Sequence, residues 1–249
     1  MLKVKLKAAL LHLLASVLVV SCAAVLVFYV WYPGEFSSML GGLELFLFVA
    51  MCEVLLGPVI SLVIYNPAKP KKELFRDYAI VLSIQLAALI YGLYAVALSR
   101  PVYLVFVKDR IEVIAAVEID EVDLKAAKYT EYSRLSWSGY KRVCVDAPTD
   151  KDEKSELLFS AVEGKDIQHY PKYYRPCGND EVIAAAYASA RLKEIVKSKL
   201  GEGALFKEVA NMEYSWLPIK HRFGVWVEIY MDKDLERASY IAVNPYDES

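Results

Sequence analysis

Glu53 is an acid inside an uncharged apolar run, set between Phe48-Val49-Ala50-Met51-Cys52 and Val54-Leu55-Leu56. An ionised carboxylate at mid-bilayer depth costs several kcal/mol unless it is paired or protonated, so its presence implies a use. Four residues on comes Gly57, where another helix can approach closely. Pro58 follows, which removes a backbone donor and predicts a bend in the same helix. Two readings stand side by side: a site for a polar partner group, built from Glu53, Gly57 and Pro58, or a protonated acid hydrogen-bonded to a neighbouring helix near Gln85. Glu44 lies closer to the interface and can snorkel to water.

The remaining inventory is thin. His12, His169 and His221 are isolated, and no His-Glu-x-x-His or Cys-x-x-Cys spacing offers a metal site, so neither metal nor cofactor is expected. There is no phosphate-cradling glycine loop before Lys-Ser/Thr and no Gly-x-Ser-x-Gly elbow. Tyr170-Pro171-Lys172-Tyr173-Tyr174-Arg175-Pro176, beside His169, is the densest polar-aromatic patch. It reads either as a ligand surface through Tyr173, Tyr174 and Arg175, or as a loop whose tyrosines pack on a sheet.

The elements that must position these residues follow from charge and hydropathy. The chain has 249 residues, 56% of them apolar, with a mean hydropathy of +0.29. Of its 29 basic and 31 acidic residues, residues 1–99 carry only seven and five. The expected domains are therefore a membrane region over 1–99 and a soluble domain over 100–249. Three transmembrane helices are predicted at about 8–31, 43–65 and 78–99, each long enough to cross about 30 Å of hydrocarbon. Lys3, Lys5 and Lys7 with Val19-Val20-Ser21-Cys22 also fit a signal peptide. The apolar run continues to Trp31, however, and so reads as an uncleaved span. Lys3, Lys5, Lys7, Lys69, Lys71, Lys72 and Arg76 fall in two segments on one side, predicting a cytoplasmic N-terminus and an exported 100–249. In a bacterium that side is the periplasm, an oxidising compartment in which Cys144 and Cys177 can pair, the alternative being two buried thiols. A net charge of −2 gives no electrostatic case for nucleic acid.

The soluble half reads as α+β with a mainly antiparallel sheet. Residues 102–107 and 111–119 form a hairpin signal across Lys108-Asp109-Arg110. Asp120 caps a helix reaching to about Tyr132, and 140–145 is a strand. A helix covers 152–162, and a longer one from Glu181 to Leu200 ends at Gly201. Strands over 223–231 and 238–243 flank a turn at Asp232-Lys233-Asp234.

Several of these pieces recur in order: Leu10-Leu11-His12-Leu13-Leu14-Ala15-Ser16 leading to Trp31-Tyr32-Pro33, Gly41-Gly42, and Glu53 before Leu56-Gly57-Pro58. Gln85-Leu86-Ala87-Ala88, Tyr91-Gly92-Leu93-Tyr94 and Arg100-Pro101-Val102-Tyr103-Leu104-Val105-Phe106 follow. The pattern resembles the TfpX/TfpZ family of type IV pilin accessory proteins, most closely over residues 8–110 and weakly beyond. The departure is Glu at position 53, where the family more often has Asp. The resemblance implies a bacterial inner-membrane protein with no enzymatic reaction and no cofactor. Its partners would be a cognate type IV major pilin, the lipid bilayer and other inner-membrane assembly components, and it would affect pilus assembly or retraction. Glu53 could then pair with the pilin's N-terminal amine. Two rival classes are a sensor or transport component and a membrane enzyme acting on lipid or pilin. The enzyme needs a convergent nucleophile and base, which the sequence does not offer.

Overall fold

A computed structural model describes residues 2–201, 203–210, 213–231 and 238–246. The chain divides into two compact units, Met1–Arg100 and Pro101–Ser249.

In the first unit, α1 (Leu2–Val25) continues as a π-helical segment, Leu26–Trp31; α2 (Phe36–Met39) follows, then α3 (Gly42–Ile64) and α4 (Lys71–Ser99). The three long helices are long and apolar enough to cross a membrane. Two begin ahead of their apolar runs. α1 takes in Lys3, Lys5 and Lys7, and α4 starts at Lys71, directly after Pro70, because Lys, Glu and Leu are good helix formers and proline pre-sets the backbone at a helix start. Pro101 ends α4: the residue before a proline is pushed out of the helical region, and Arg100 is extended at φ −66°, ψ 147°. The helix α3 runs through Pro58 without interruption.

The buried positions of α3 are Gly42, Phe46, Val49, Glu53, Gly57 and Ser61. Their spacing of three and four residues makes one stripe down the helix. The acid thus lies on the face that packs. At one end of the stripe the Tyr32 ring lies against Gly42, where a Cβ would come within 2.6 Å of it. The Tyr32 hydroxyl donates to the carbonyl of Val96 at 2.8 Å, tying the α1–α3 connection to α4.

Among the described residues the second unit is an eight-stranded sheet with helices. Its strands are β1 (Pro101–Val107), β2 (Arg110–Ala115), β3 (Lys141–Val145), β4 (Tyr174–Pro176), β5 (Tyr187–Ala188), β6 (Ser215–His221), β7 (Gly224–Tyr230) and β8 (Ala238–Ile241). Their order is β4-β3-β1-β2-β6-β7-β8, with β5 pairing β6. The pairs β1–β3 and β2–β6 are parallel and the others antiparallel, so the sheet is mainly antiparallel as expected. Helices α5 (Glu121–Lys125), α6 (Lys151–Val162), α7 (Asn179–Ala185), α8 (Ser189–Leu200) and α9 (Ala204–Ala210) join them. Asp150 starts α6 by accepting from the backbone N–H groups of Asp152 and Glu153, both at 3.0 Å.

The strand expected over 111–119 stops at Ala115, β4, β6 and α9 lie where no element was expected, and two expected helices are altered. The helix predicted from Glu181 to Leu200 is split: Ala186 and Ala188 are extended, and Tyr187–Ala188 pairs with β6. The Trp216 indole donates to the carbonyl of Ala188 at 3.0 Å, and the Tyr187 ring lies 5.0 Å from the Trp216 ring. Tertiary pairing therefore overrides the local alanine-rich propensity. The helix after Asp120 ends at Lys125, with a separate 3-10 turn over Thr130–Tyr132. The Asp120 carboxylate does not cap this helix; it and Asp123 receive Lys165 from beyond α6. The expected turn at Asp232-Lys233-Asp234 lies outside the described residues.

Candidate functional site

Helices α1 and α4 both lie along α3 but barely touch one another. Between their facing sides is a cavity of about 250 Å³, lined by His12, Ala15, Ser16 and Val19 from α1, Glu53 from α3, and Leu82, Gln85, Leu86 and Leu89 from α4. Each set follows helical spacing, so each wall is one face of one helix. The lining is apolar except for a belt of His12, Ser16, Glu53 and Gln85.

Within that belt the polar groups differ in how they are satisfied. His12 Nδ1 and Ser61 Oγ share a hydrogen bond at 2.5 Å. Gly57 makes room for both neighbouring helices, since a Cβ there would lie 2.7 Å from Gln85 Nε2 and 2.8 Å from His12 Nε2. Glu53 is only 9% exposed, and its carboxylate has no hydrogen bond or ion pair among the described residues. Gln85 Oε1 is likewise buried without a partner. Two acceptors therefore face one apolar cavity unpaired, an arrangement that costs free energy until a donor arrives. Glu53, Gly57 and Gln85 stand out in the sequence; Ser16, Ser61 and the pairing of His12 do not, although Ser61 continues the 53–57–61 stripe and Ser16 follows His12 by one turn.

The His12–Ser61 pair has the spacing of a base and a nucleophile. Ser61 is 1% exposed and does not line the cavity, so the contact joins helices and offers no attacking group to a substrate. Pro58 follows Gly57 on α3 and is not part of the cavity wall. Glu44 is exposed in the first turn of α3.

In the second unit the Tyr173–Arg175 segment takes the packing role, the second of the two readings of that patch. Tyr174 is wholly buried, with its hydroxyl donating to the carbonyl of Gln168. Tyr173 is 8% exposed and donates to Glu153 at 2.9 Å, while Lys172 meets the same carboxylate at 2.7 Å. Arg175 is held by Asp146 at 2.6 Å and by both oxygens of Glu181. Those two carboxylates hold its guanidinium above the usual arginine range. All three thus have partners within the unit. Cys144 in β3 and Cys177 just after β4 form a disulfide across adjacent strands, while Cys22 and Cys52 are free thiols in α1 and α3. Among the described residues no cluster of three or more His, Cys, Asp or Glu could hold a metal ion.

The sequence model of the family described as fimbrial assembly protein FimB matches residues 1–41. A fimbrial assembly protein of serogroups C1 and C2 from Dichelobacter nodosus is 37% identical over 109 residues, which are 44% of this chain and 83% of that protein. The chain belongs to the fimbrial assembly protein family. Two longer members from the same organism are similar from end to end. The serogroup I protein is 29% identical over 244 residues, and the serogroup E1 protein 28% over 247, each alignment covering 95% of this chain and 94% of the relative. No solved structure matches the chain. The bundle with its polar belt and the disulfide-bearing sheet unit therefore both lie within the length shared with these fimbrial assembly proteins.

Proposed function

We propose that this protein acts in type IV fimbrial biogenesis as a TfpX/TfpZ-like accessory protein of the bacterial inner membrane, binding its cognate major pilin and steadying it for assembly or retraction. The observation that carries the reading is the buried, unpartnered Glu53 at the floor of the gap between α1 and α4. A membrane protein keeps such a group where something is to be bound. The similarity to fimbrial assembly proteins along nearly the whole chain supports the setting. The protein works by binding, without a reaction of its own.

In this reading its N-terminus is cytoplasmic and residues 100–249 are periplasmic, an orientation that the two basic segments support. Alkaline phosphatase fused after Ser249 should be active; activity only from a fusion within residues 66–76 would reverse the orientation. The function itself is tested by purifying the full chain from membranes with and without the cognate major pilin. Pilin should co-purify with the wild type, and piliation should fall when the chain is deleted. Normal piliation in the deletion strain, or no pilin in the purified material, would overturn the reading.

A further inference from the structure

We infer that the gap between α1 and α4 seats a fourth apolar membrane helix, supplied by a partner, which brings a hydrogen-bond donor, an ammonium or an amide N–H, to Glu53 and Gln85. This deepens the reading that the protein engages a membrane partner and rests on it.

The shape of the gap comes first. Its walls extend over residues 12–19 of α1 and 82–89 of α4, roughly two helical turns each. An occupant at that depth must be apolar on its outer side and must satisfy its own backbone hydrogen bonds, which within hydrocarbon is what a helix does. Ala15 and Ser16 are small, so a backbone can approach the α1 wall closely, as helix pairs in membranes do at small residues.

The chemistry of the floor selects among apolar occupants. Glu53 and Gln85 Oε1 are both acceptors without partners among the described residues. An acyl chain offers no donor and leaves both open. A helix with a central acid places a like charge beside Glu53 when ionised, and when protonated offers a single O–H with no charge to neutralise the carboxylate. A helix carrying a central amine or amide satisfies them, and with an amine also neutralises the carboxylate.

The test uses the full chain in phosphatidylcholine nanodiscs, with synthetic Leu/Ala helices of about 20 residues carrying a central Lys, Leu or Glu. A photo-crosslinker replaces Leu86, on the wall, or Ile84, which is 65% exposed on another face of α4. From position 86 the Lys helix should be captured about tenfold more efficiently than the Leu or Glu helix, corresponding to about 1.4 kcal/mol, with no preference from position 84. Glu53→Leu should abolish the preference and Gln85→Leu should reduce it. Glu53→Gln, which keeps an acceptor and the side-chain shape, should lose most of the Lys preference and serves as the second variant should Glu53→Leu fold poorly. Equal capture of the three helices, a Lys preference that survives in Glu53→Gln, or labelling of phospholipid alone from position 86 would each overturn the inference. Undiminished pilin co-purification with Glu53→Leu, without crosslinks at 86, would sink the seat and leave the proposed function standing. Selective capture of the Lys helix by a protein that never co-purifies with pilin would do the reverse.

Discussion

His12 and Ser61 stand 49 residues apart in sequence and share a 2.5 Å hydrogen bond that joins α1 to α3 one turn beyond Gly57. The bond fixes the imidazole beside Gly57, and with Gln85 on the other flank it determines how much room that glycine has.

Gly57→Ala should therefore destabilise the bundle. In an exposed helix the same change stabilises by about 1 kcal/mol through propensity. Here the new methyl meets Gln85 and a histidine that cannot move without breaking its bond to Ser61. Thermal unfolding of the detergent-solubilised full chain should show a lower midpoint for Gly57→Ala, and the ordinary sign should return when Gly57→Ala is made in a His12→Ala/Gln85→Ala background.

Arg142 on β3 pairs with Glu228 on β7, and Tyr230 and Tyr240 donate to the same carboxylate at 2.7 and 3.1 Å. Three strands lie between β3 and β7 in the sheet order, about 19 Å if the sheet were flat, so the contact requires a strongly coiled sheet. Burial works against the charge of Arg142, but Glu228 beside it holds the guanidinium above its usual range. Glu228 is fully buried, and removing its cation should cost about 3–5 kcal/mol. Chemical denaturation of Arg142→Met should show that loss. The double variant Arg142→Met/Glu228→Gln should lose clearly less than the sum of the singles, because the stranded charge is gone.

Reduction of the Cys144–Cys177 disulfide, or its replacement by Cys144→Ala/Cys177→Ser, should lower the stability of the sheet unit by about 2–4 kcal/mol, given the 33-residue separation it closes. Free thiols mapped by mass spectrometry in protein isolated without reductant would contradict the pairing.

His221 supplies a pH dependence. Its ring is 8% exposed, Nδ1 accepts from the Phe223 N–H at 3.4 Å, and Nε2 is buried without a partner among the described residues. Burial pushes its pKa down from 6.5 to about 4. The unfolded chain therefore binds more protons than the folded one between those values, and stability rises with pH across that window. The contribution is fully present above pH 6.5 and is lost as pH falls toward 4, a loss on the order of 2–3 kcal/mol. Unfolding midpoints measured from pH 7 to 4 should slope accordingly in the wild type and lose most of that slope in His221→Phe.

Features that depend on runs and local chemistry are legible in the chain before it folds. Three spans follow from uncharged stretches that only a bilayer accommodates. The boundary near Arg100-Pro101 follows from the steric demand of proline and the abrupt return of charge. The mainly antiparallel sheet follows from alternating β-branched and aromatic residues between turns. Glu53 was conspicuous because charge in an apolar run is costly wherever the run folds. Other features depend on neighbours distant in sequence and emerge only on folding. Asp120 left its capping role when Lys165 came within reach, and Tyr187 left a helical stretch when Trp216 offered a strand and an indole N–H. For Tyr173, Tyr174 and Arg175 the sequence favours packing over a recognition patch, but their partners Glu153, Gln168, Asp146 and Glu181 are visible only in the fold. The cavity between α1 and α4 could not be read from any one helix. It exists because both helices pack on the same stripe of α3 without closing on each other, and no local pattern encodes the angle between two helices that meet only through a third.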